Sequence, residues 1–181
     1  LEALVAERTA ELLEKNQQLE VLSVSDRLTG LFNRLHLDRV LEEEMARSQR
    51  GSGIYYVIML DVDHFKSVND THGHQVGDQV LVSIARLLKD GAREIDVVGR
   101  WGGEEFLVVC RETGLAGARV LAEKLRESVA GFTFPVVDSK TCSFGVASLK
   151  PDEAIDALVA RTDSALYQAK HNGRNRVEVH L

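Results

Sequence analysis

Asp96-Val97-Val98-Gly99-Arg100-Trp101-Gly102-Gly103-Glu104-Glu105-Phe106-Leu107-Val108-Val109-Cys110 is the stretch whose reading decides the fold. Two short apolar runs joined through the pair Gly102-Gly103 predict a β-hairpin with a tight turn. Straight after the glycines stand two acids, Glu104 and Glu105. Small residues in a turn let a large anionic ligand approach the backbone, whereas adjacent carboxylates repel each other and seek a cation. Taken alone, the pattern also fits a hairpin whose acids are simply solvated.

Composition bounds the answer. With 181 residues, 44% hydrophobic and 28% charged, the chain reads as a globular domain with room for one sizeable core. A net charge of −6 supplies no broad basic face for duplex nucleic acid, though local cationic pockets stay open. Cys110 and Cys142 sit in apolar, strand-like runs, which suits a reduced cytoplasmic interior. No apolar run approaches the roughly 20 residues that span a bilayer, so no membrane contact is expected of this stretch. No signal peptide is visible, and a start at Leu1 reads as a piece of a longer protein whose sensor would lie upstream.

Residues 1–24 carry a helical pattern without Gly or Pro. Val5, Leu12 and Leu19 recur at seven residues, and Leu1 and Leu22 fall in a second heptad frame, with Arg8, Thr9, Lys15 and Asn16 polar on the seam. A coiled-coil stalk that pairs two copies is expected, because a free helix of this length is marginal in water. The alternative is an amphipathic helix packed on its own domain. Residues 25–181 then form one compact domain. Gly30 breaks the helix, Asn33 is a candidate N-cap, and Leu37, Val40, Leu41 and Met45 mark the inner face of a helix running to about Gln49.

Ile54–Leu60 is a continuous apolar run expected of a central strand, ending in Asp61-Val62-Asp63. A carboxylate at the tip of a buried strand is a common metal holder. Lys66 follows in the first loop, then a helix with Val76, Val80, Leu81, Ile84, Leu87 and Leu88 inward. His64, His72 and His74 lack the cysteines or paired spacing of a zinc site, so turn and capping roles are expected. Beyond the hairpin come a helix with Ala118, Leu121, Ala122, Leu125 and Val129 inward, and predicted strands over 132–137 and 141–147. A last helix opening at Pro151-Asp152, a stop at Gly173 and a closing strand of Val177, Val179 and Leu181 complete the chain. This order predicts an α/β (α+β) fold: a ferredoxin-like mixed central sheet surrounded by helices, preceded by a long N-terminal helix.

In such a sheet Asp61 and Glu104 come from neighbouring elements about 4.8 Å apart and can share one or two divalent ions. Magnesium suits few hard oxygen ligands that leave room for phosphates. Lys170 and Arg174, four apart, can point the same way and meet an anion together with Lys66, although ordinary helix C-terminal cations would look the same. No GxxxxGK[ST] loop is present, so triphosphate binding needs another device.

Asp26-x-Leu28-Thr29-Gly30-Leu31-x-Asn33-Arg34, Asp61-Val62-Asp63-His64-Phe65-Lys66, Asn69-Asp70-x-x-Gly73-His74-x-x-Gly77-Asp78, Arg100-x-Gly102-Gly103-Glu104-Glu105-Phe106 and Ala165-Leu166-Tyr167-x-Ala169-Lys170-x-x-Gly173-Arg174-Asn175 together resemble the GGDEF family, the diguanylate cyclases, in its GGEEF form. The resemblance runs from about Ser25 to Val179. It implies that Asp61, Glu104 and the Val62 carbonyl hold two Mg²⁺ ions (Mn²⁺ as an alternative). It implies that Asn69 and Asp78 read guanine, and that Lys66, Lys170 and Arg174 neutralise the β- and γ-phosphates. Gly102 and Gly103 would let the backbone lie against the α-phosphate. The implied reaction joins two GTP into cyclic di-GMP between two protomers, each 3′-hydroxyl attacking the other α-phosphate. Whether Glu105 or a metal-bound hydroxyl takes the 3′ proton is open. Arg93 and Asp96, in an RxxD pattern, resemble the family's product-inhibition site, with Arg119, Lys124 or Arg126 as further cations; the bland alternative is a surface ion pair. Rival functions are a non-catalytic nucleotide binder, a cyclase with altered base choice, and a pure dimerisation module.

Overall fold

The computed structural model describes residues 2–51 and 53–181, the side chains of 20–22 excepted. Leu1, the Leu22 side chain and Ser52 of the loop after Gln49 therefore lie outside the described residues. In chain order the elements are α1 (Glu2–Leu22), α2 (Arg34–Gln49), β1 (Tyr55–Val62), α3 (Phe65–His72), α4 (His74–Gly91), β2 (Val97–Gly102), β3 (Glu105–Arg111), α5 (Leu115–Ala130), β4 (Cys142–Ser148), α6 (Ile155–His171) and β5 (Val177–His180).

Strand alternation in β1 sorts the core into two layers. Ile58, Leu60 and Val62 pack with Val80, Leu81, Ile84 and Leu88 of α4 and with Ala118, Leu121, Leu125 and Val129 of α5. Tyr55, Val57 and Met59 pack on the other face with Leu37, Val40 and Leu41 of α2 and Leu158 and Leu166 of α6. The sheet order is β2-β3-β1-β4-β5. β5 runs parallel to β4 and the other neighbours are antiparallel. A mixed five-stranded sheet with helices on both faces results, as the order of motifs predicts.

The odd-numbered series in β1 carries Asp61 onto the α2/α6 face near the strand's end. On β3 the same parity places Glu105 with Leu107 and Val109, and Asp61 and Glu105 are register partners. Gly145 fixes how close α6 sits: a Cβ there would lie 2.3 Å from the Leu166 nitrogen and 2.5 Å from the Thr162 carbonyl oxygen. Backbone cannot yield as a side-chain tip can, so α6 rests directly on β4.

Several local expectations are corrected. β1 begins at Tyr55 rather than Ile54, which is exposed, and it runs through Asp61 to Val62. Residues 132–137 form no strand; Phe134 is buried, and the chain doubles back through reciprocal hydrogen bonds between Phe134 and Asp138. Pro135 lacks a ladder donor and Val136 and Asp138 take positive φ of 69° and 66°, which no extended strand accommodates. Helix α6 begins at Ile155, because Pro151-Asp152 makes a turn with Asp152 at φ 58°. Leu181 is 77% exposed and lies beyond β5.

Helix α2 starts as expected: the Asn33 side chain accepts from the His36 N–H at 2.9 Å, meeting one of the four orphan donors of a helix start. Helix α1 leaves Leu4, Val5, Leu12, Leu13 and Leu19 all more than half exposed, so its own domain does not cover them. Among the described residues no helix is long and apolar enough to cross a membrane.

Candidate active site

The hairpin turn sits one residue later than its glycines suggest. Gly102 pairs with Glu105, so the turn is Gly103-Glu104, and the register shift between Arg100 and Gly102 makes Trp101 the bulged residue. A bulge increases local twist and re-aims the turn beside it. Gly103 holds φ +33°, and nothing lies within 4 Å of where a Cβ would stand, leaving this face of the turn open. Trp101 itself is 7% exposed and is capped by the Arg34 guanidinium, 3.4 Å above its ring.

Arg100 fastens this turn. Its Nε and Nη2 donate to the Gly103 carbonyl at 2.9 and 2.7 Å, and its Nη1 donates to Asp26 at 3.3 Å. Burial alone would raise the Asp26 carboxyl, but hydrogen bonds from Thr29 and the Arg100 charge outweigh it and hold the group below its usual range. The 26–33 loop is tied to β2 as well, with the Arg100 N–H donating to the Phe32 carbonyl at 2.8 Å. Nothing in the linear spacing signalled this clamp, because Asp26 and Arg100 are 74 residues apart.

Three carboxylates converge at the open end of β1. Asp61 is 7% exposed, Glu105 lies directly across from it, and Glu104 occupies the turn whose carbonyl accepts from the Val62 N–H at 3.3 Å. The Lys170 ammonium donates to Asp61 at 2.7 Å. Burial pushes the Asp61 carboxyl up, Lys170 opposes that, and Glu104 and Asp63 add to it. Glu105 is likewise raised, first by burial and then by the Asp61 charge, with Asp163 and Glu104 contributing. One lysine thus faces an excess of negative charge, the electrostatic setting in which a divalent cation is welcome.

Among the described residues no three His, Cys, Asp or Glu side chains close into a metal cage. The chain supplies a partial shell of hard oxygens instead, which fits magnesium: that ion keeps waters and takes substrate phosphates alongside one or two carboxylates. The Lys170 contact on Asp61 marks where positive charge is accommodated.

The other expected residues are placed as follows. Lys66 is exposed in the first turn of α3, not in a loop. Asn69 faces Gly77 across the α3–α4 joint; a Cβ on Gly77 would lie 2.0 Å from the Asn69 Oδ1. That oxygen is buried and has no hydrogen-bond partner, while Asp78 is exposed next to Gly77. An unmet buried acceptor costs about 1–3 kcal/mol, which makes the Asn69 amide the costliest polar group of the α3–α4 joint among the side chains with an unmet buried oxygen there. Lys170 and Arg174 do not share a helical face: α6 ends at His171, and Arg174 follows Gly173 with φ 62°. His64 stands at the α3 N-cap position with φ 56° and makes no capping bond, while His72 ends α3 and His74 opens α4.

Arg93 and Asp96 form a two-pronged pair, with Nε–Oδ2 at 3.0 Å and Nη2–Oδ1 at 2.7 Å. They line a cavity of about 290 Å³ together with Gly30, Leu31, Phe32 and Lys89. Of the three further cations, Lys124 donates to the Gly91 carbonyl at 2.9 Å, two residues ahead of Arg93. Arg126 instead pairs with Glu123 and donates to Asn175 Oδ1 at 3.0 Å. Sequence reasoning missed Asp63 as well; it is 4% exposed and accepts from Thr141, Ser143 and the Asn175 N–H.

Residues 23–176 match a family model described as diguanylate cyclase, GGDEF domain. The chain is 44% identical over 160 residues to diguanylate cyclase DgcP of Pseudomonas aeruginosa, an alignment covering 87% of this chain and 24% of that protein. It is 42% identical over 161 residues to diguanylate cyclase DgcM of Escherichia coli K12, covering 89% of this chain and 39% of that protein. The solved coiled coil and GGDEF domain of DgcB from Caulobacter crescentus, in complex with c-di-GMP, matches with a TM-score of 0.85 at 33% identity over 99% of each chain. The chain therefore spans less than half the length of the curated relatives it matches.

Proposed function

The chain belongs to the GGDEF family of diguanylate cyclase domains, and from that membership we propose that it condenses two GTP into cyclic di-GMP and two pyrophosphates. The observation that carries this reading is the acidic cluster at the end of β1: Asp61 and Glu105 in register, Glu104 in the adjoining turn, and one lysine 2.7 Å from Asp61. Asp61, Glu104 and the Val62 carbonyl would hold magnesium there. When bound, the metal neutralises charge that develops on the phosphates.

Each protomer offers half a site. Gly102 and Gly103 admit the α-phosphate to the turn, Lys66, Lys170 and Arg174 meet the β- and γ-phosphates, and Asn69 and Asp78 read the guanine edge. The unpaired Asn69 Oδ1 supports that last role, since guanine presents N–H donors. The 3′-oxygen of one GTP forms a bond to the α-phosphorus of the other, the bond to the β-phosphate oxygen breaks, and pyrophosphate leaves with that electron pair. Repetition in the opposite sense closes the ring. Positioning does most of this work, as in other phosphoryl transfers. Glu105, half-buried and held above the usual carboxylate range, is the proposed acceptor of the 3′ proton, with a metal-bound hydroxyl as its rival.

The uncovered apolar residues of α1 support a coiled-coil homodimer that brings the half-sites face to face at high effective concentration. This assigns residues 1–24 to the stalk and 25–181 to catalysis. The cavity beside Arg93 and Asp96 supports binding of cyclic di-GMP as a feedback inhibitor, with Lys89 and Lys124 as nearby cations. The test is incubation with GTP and magnesium, with products resolved by chromatography and mass. Cyclic di-GMP plus pyrophosphate is the expected outcome. Bound but unconverted GTP would replace catalysis by a binding role, and a mixed guanine–adenine product in the presence of ATP would overturn the base assignment.

A further inference from the structure

Asp63 and Asp61 are two residues apart, yet their surroundings differ in kind. Asp61 meets a lysine ammonium. Asp63, 4% exposed, is met by neutral donors: its Oδ1 accepts from the Ser143 hydroxyl at 2.7 Å, and its Oδ2 accepts from the Thr141 hydroxyl at 2.7 Å and the Asn175 N–H at 3.1 Å. Its own N–H donates to the Thr141 carbonyl at 2.9 Å. Both oxygens are engaged inward, so this carboxylate serves the fold's interior rather than a metal.

What it holds is a strained piece of backbone. Gly173, Arg174 and Asn175 take φ of 118°, 62° and 43° in succession. Two consecutive non-glycine residues in the left-handed region are strained and persist only where neighbours impose them. The imposing contacts are visible. The Arg174 N–H donates to the Ala169 carbonyl at 2.9 Å, Arg126 holds the Asn175 side chain at 3.0 Å, and Asp63 holds the Asn175 N–H. Arg174 itself is exposed, with its backbone fixed on both sides.

We propose that Asp63 is a positioning residue for Arg174: it locks the left-handed Arg174-Asn175 turn and thereby aims the guanidinium at the triphosphate. The inference rests on the reading that Arg174 grips the β- and γ-phosphates. The end of α6 is moored twice to the end of β1, and the two moorings have different lifetimes in the reaction. The Lys170–Asp61 contact must be exchanged when metal and phosphates arrive, because both partners acquire new ones. The Asp63 contacts need not change, so they keep Arg174 in place while Lys170 moves.

The test is a double-mutant cycle on the full chain, read by calorimetry with Mg²⁺ and 3′-deoxy-GTP, which lacks the attacking hydroxyl and binds without reacting. Asp63→Asn leaves one acceptor oxygen for three donors. Arg174→Asn removes the guanidinium but tolerates the left-handed backbone. Each single change is expected to weaken 3′-deoxy-GTP binding about tenfold. Neither should move the affinity for guanosine monophosphate, which has no β- or γ-phosphate. The double variant should bind no worse than Arg174→Asn alone. If the two losses multiply, or if Asp63→Asn weakens the monophosphate equally, Asp63 is merely structural and the proposal is overturned. If Arg174→Asn alone leaves 3′-deoxy-GTP binding intact, the phosphate-grip reading itself falls. Should Asp63→Asn fail to fold, Thr141→Val removes one donor from the same carboxylate and enters the same cycle. Binding of 3′-deoxy-GTP about threefold weaker supports the proposal, and unchanged binding defeats it.

Discussion

The two ends of β1 handle buried charge in opposite ways. At its start, around Tyr55, the two sheltered acids each have a cation: Glu44 accepts from Arg111 at 2.6 Å, and Glu153 from Arg161 at 2.6 and 2.7 Å. The Arg161 bond draws Glu153 below the usual carboxylate range, and burial, with Glu44 and Glu153 nearby, pushes the Tyr55 hydroxyl well up. At its finish Asp61, Glu104 and Glu105 gather around Lys170, and Asp61 and Glu105 are pushed up instead. One end is neutralised and holds the sheet to α2 and α6. The other keeps an excess of negative charge that a ligand can balance. Identical residue types therefore end up charge-balanced at one end and in excess at the other, and the count of opposing charges decides which.

Breaking the open end should cost activity rather than stability. Glu104→Ala is expected to lower cyclic di-GMP formation at least about a thousandfold. Its melting temperature should stay within about 2 °C of the parent's, since a half-buried turn carboxylate packs little core. An assay of turnover beside a thermal melt checks both halves. A comparable loss of stability would mean that the cluster holds the fold together.

Breaking the closed end should do the reverse. Glu153→Gln leaves Arg161 without its carboxylate in a site where the two side chains are 14% and 10% exposed. A destabilisation of about 2 kcal/mol in denaturant unfolding is expected, with turnover per folded molecule unchanged.

The contrast also has a pH signature. Carboxyls whose folded pKa is raised favour the folded state fully below their unfolded pKa, and that contribution is lost as pH rises through the raised value. For Asp61 and Glu105 the ligand-free protein thus forfeits stability toward neutral pH, and a divalent ion restores it. The increase in melting temperature on adding magnesium should be several degrees larger at pH 8 than at pH 5. Equal increments at both values would show that protons and metal do not compete there.

The smallest effect is expected at Arg93→Ala. The Arg93 backbone N–H still donates to Asp96, so the loss of stability should be about 1 kcal/mol. Turnover should persist, while inhibition by added cyclic di-GMP is relieved. Unrelieved inhibition would remove Arg93 from the inhibitory site.

Much of this architecture is legible in the letters. Hydrophobic periodicity marked α2, α4 and α5 with their inner faces, since Leu37, Val40 and Leu41 or Ala118, Leu121, Ala122, Leu125 and Val129 have nowhere to go but a core. Local chemistry likewise fixed the Asn33 cap and the hairpin. It misread residues 132–137, where apolar letters looked like a strand and Pro135 with two positive-φ residues turned the chain back. Lys170 in the last turn of α6 and Arg174 just beyond it stand where the spacing put them, but the positive φ of Gly173 and Arg174, which aims the second cation, has no signal in the letters.

Sequence by itself determined most of the helices and strands, which of their faces are apolar, and which acids and cations stand at their ends, because those follow from short-range periodicity and backbone preference. Only the tertiary structure decided which of those charges meet. Asp61 finds Lys170 across 109 residues, Asp26 finds Arg100 across 74, and Asp63 turns from a neighbouring acid into the anchor of the Arg174 turn across 112. Electrostatic partnership depends on distance and burial in space, and no spacing along the chain encodes either.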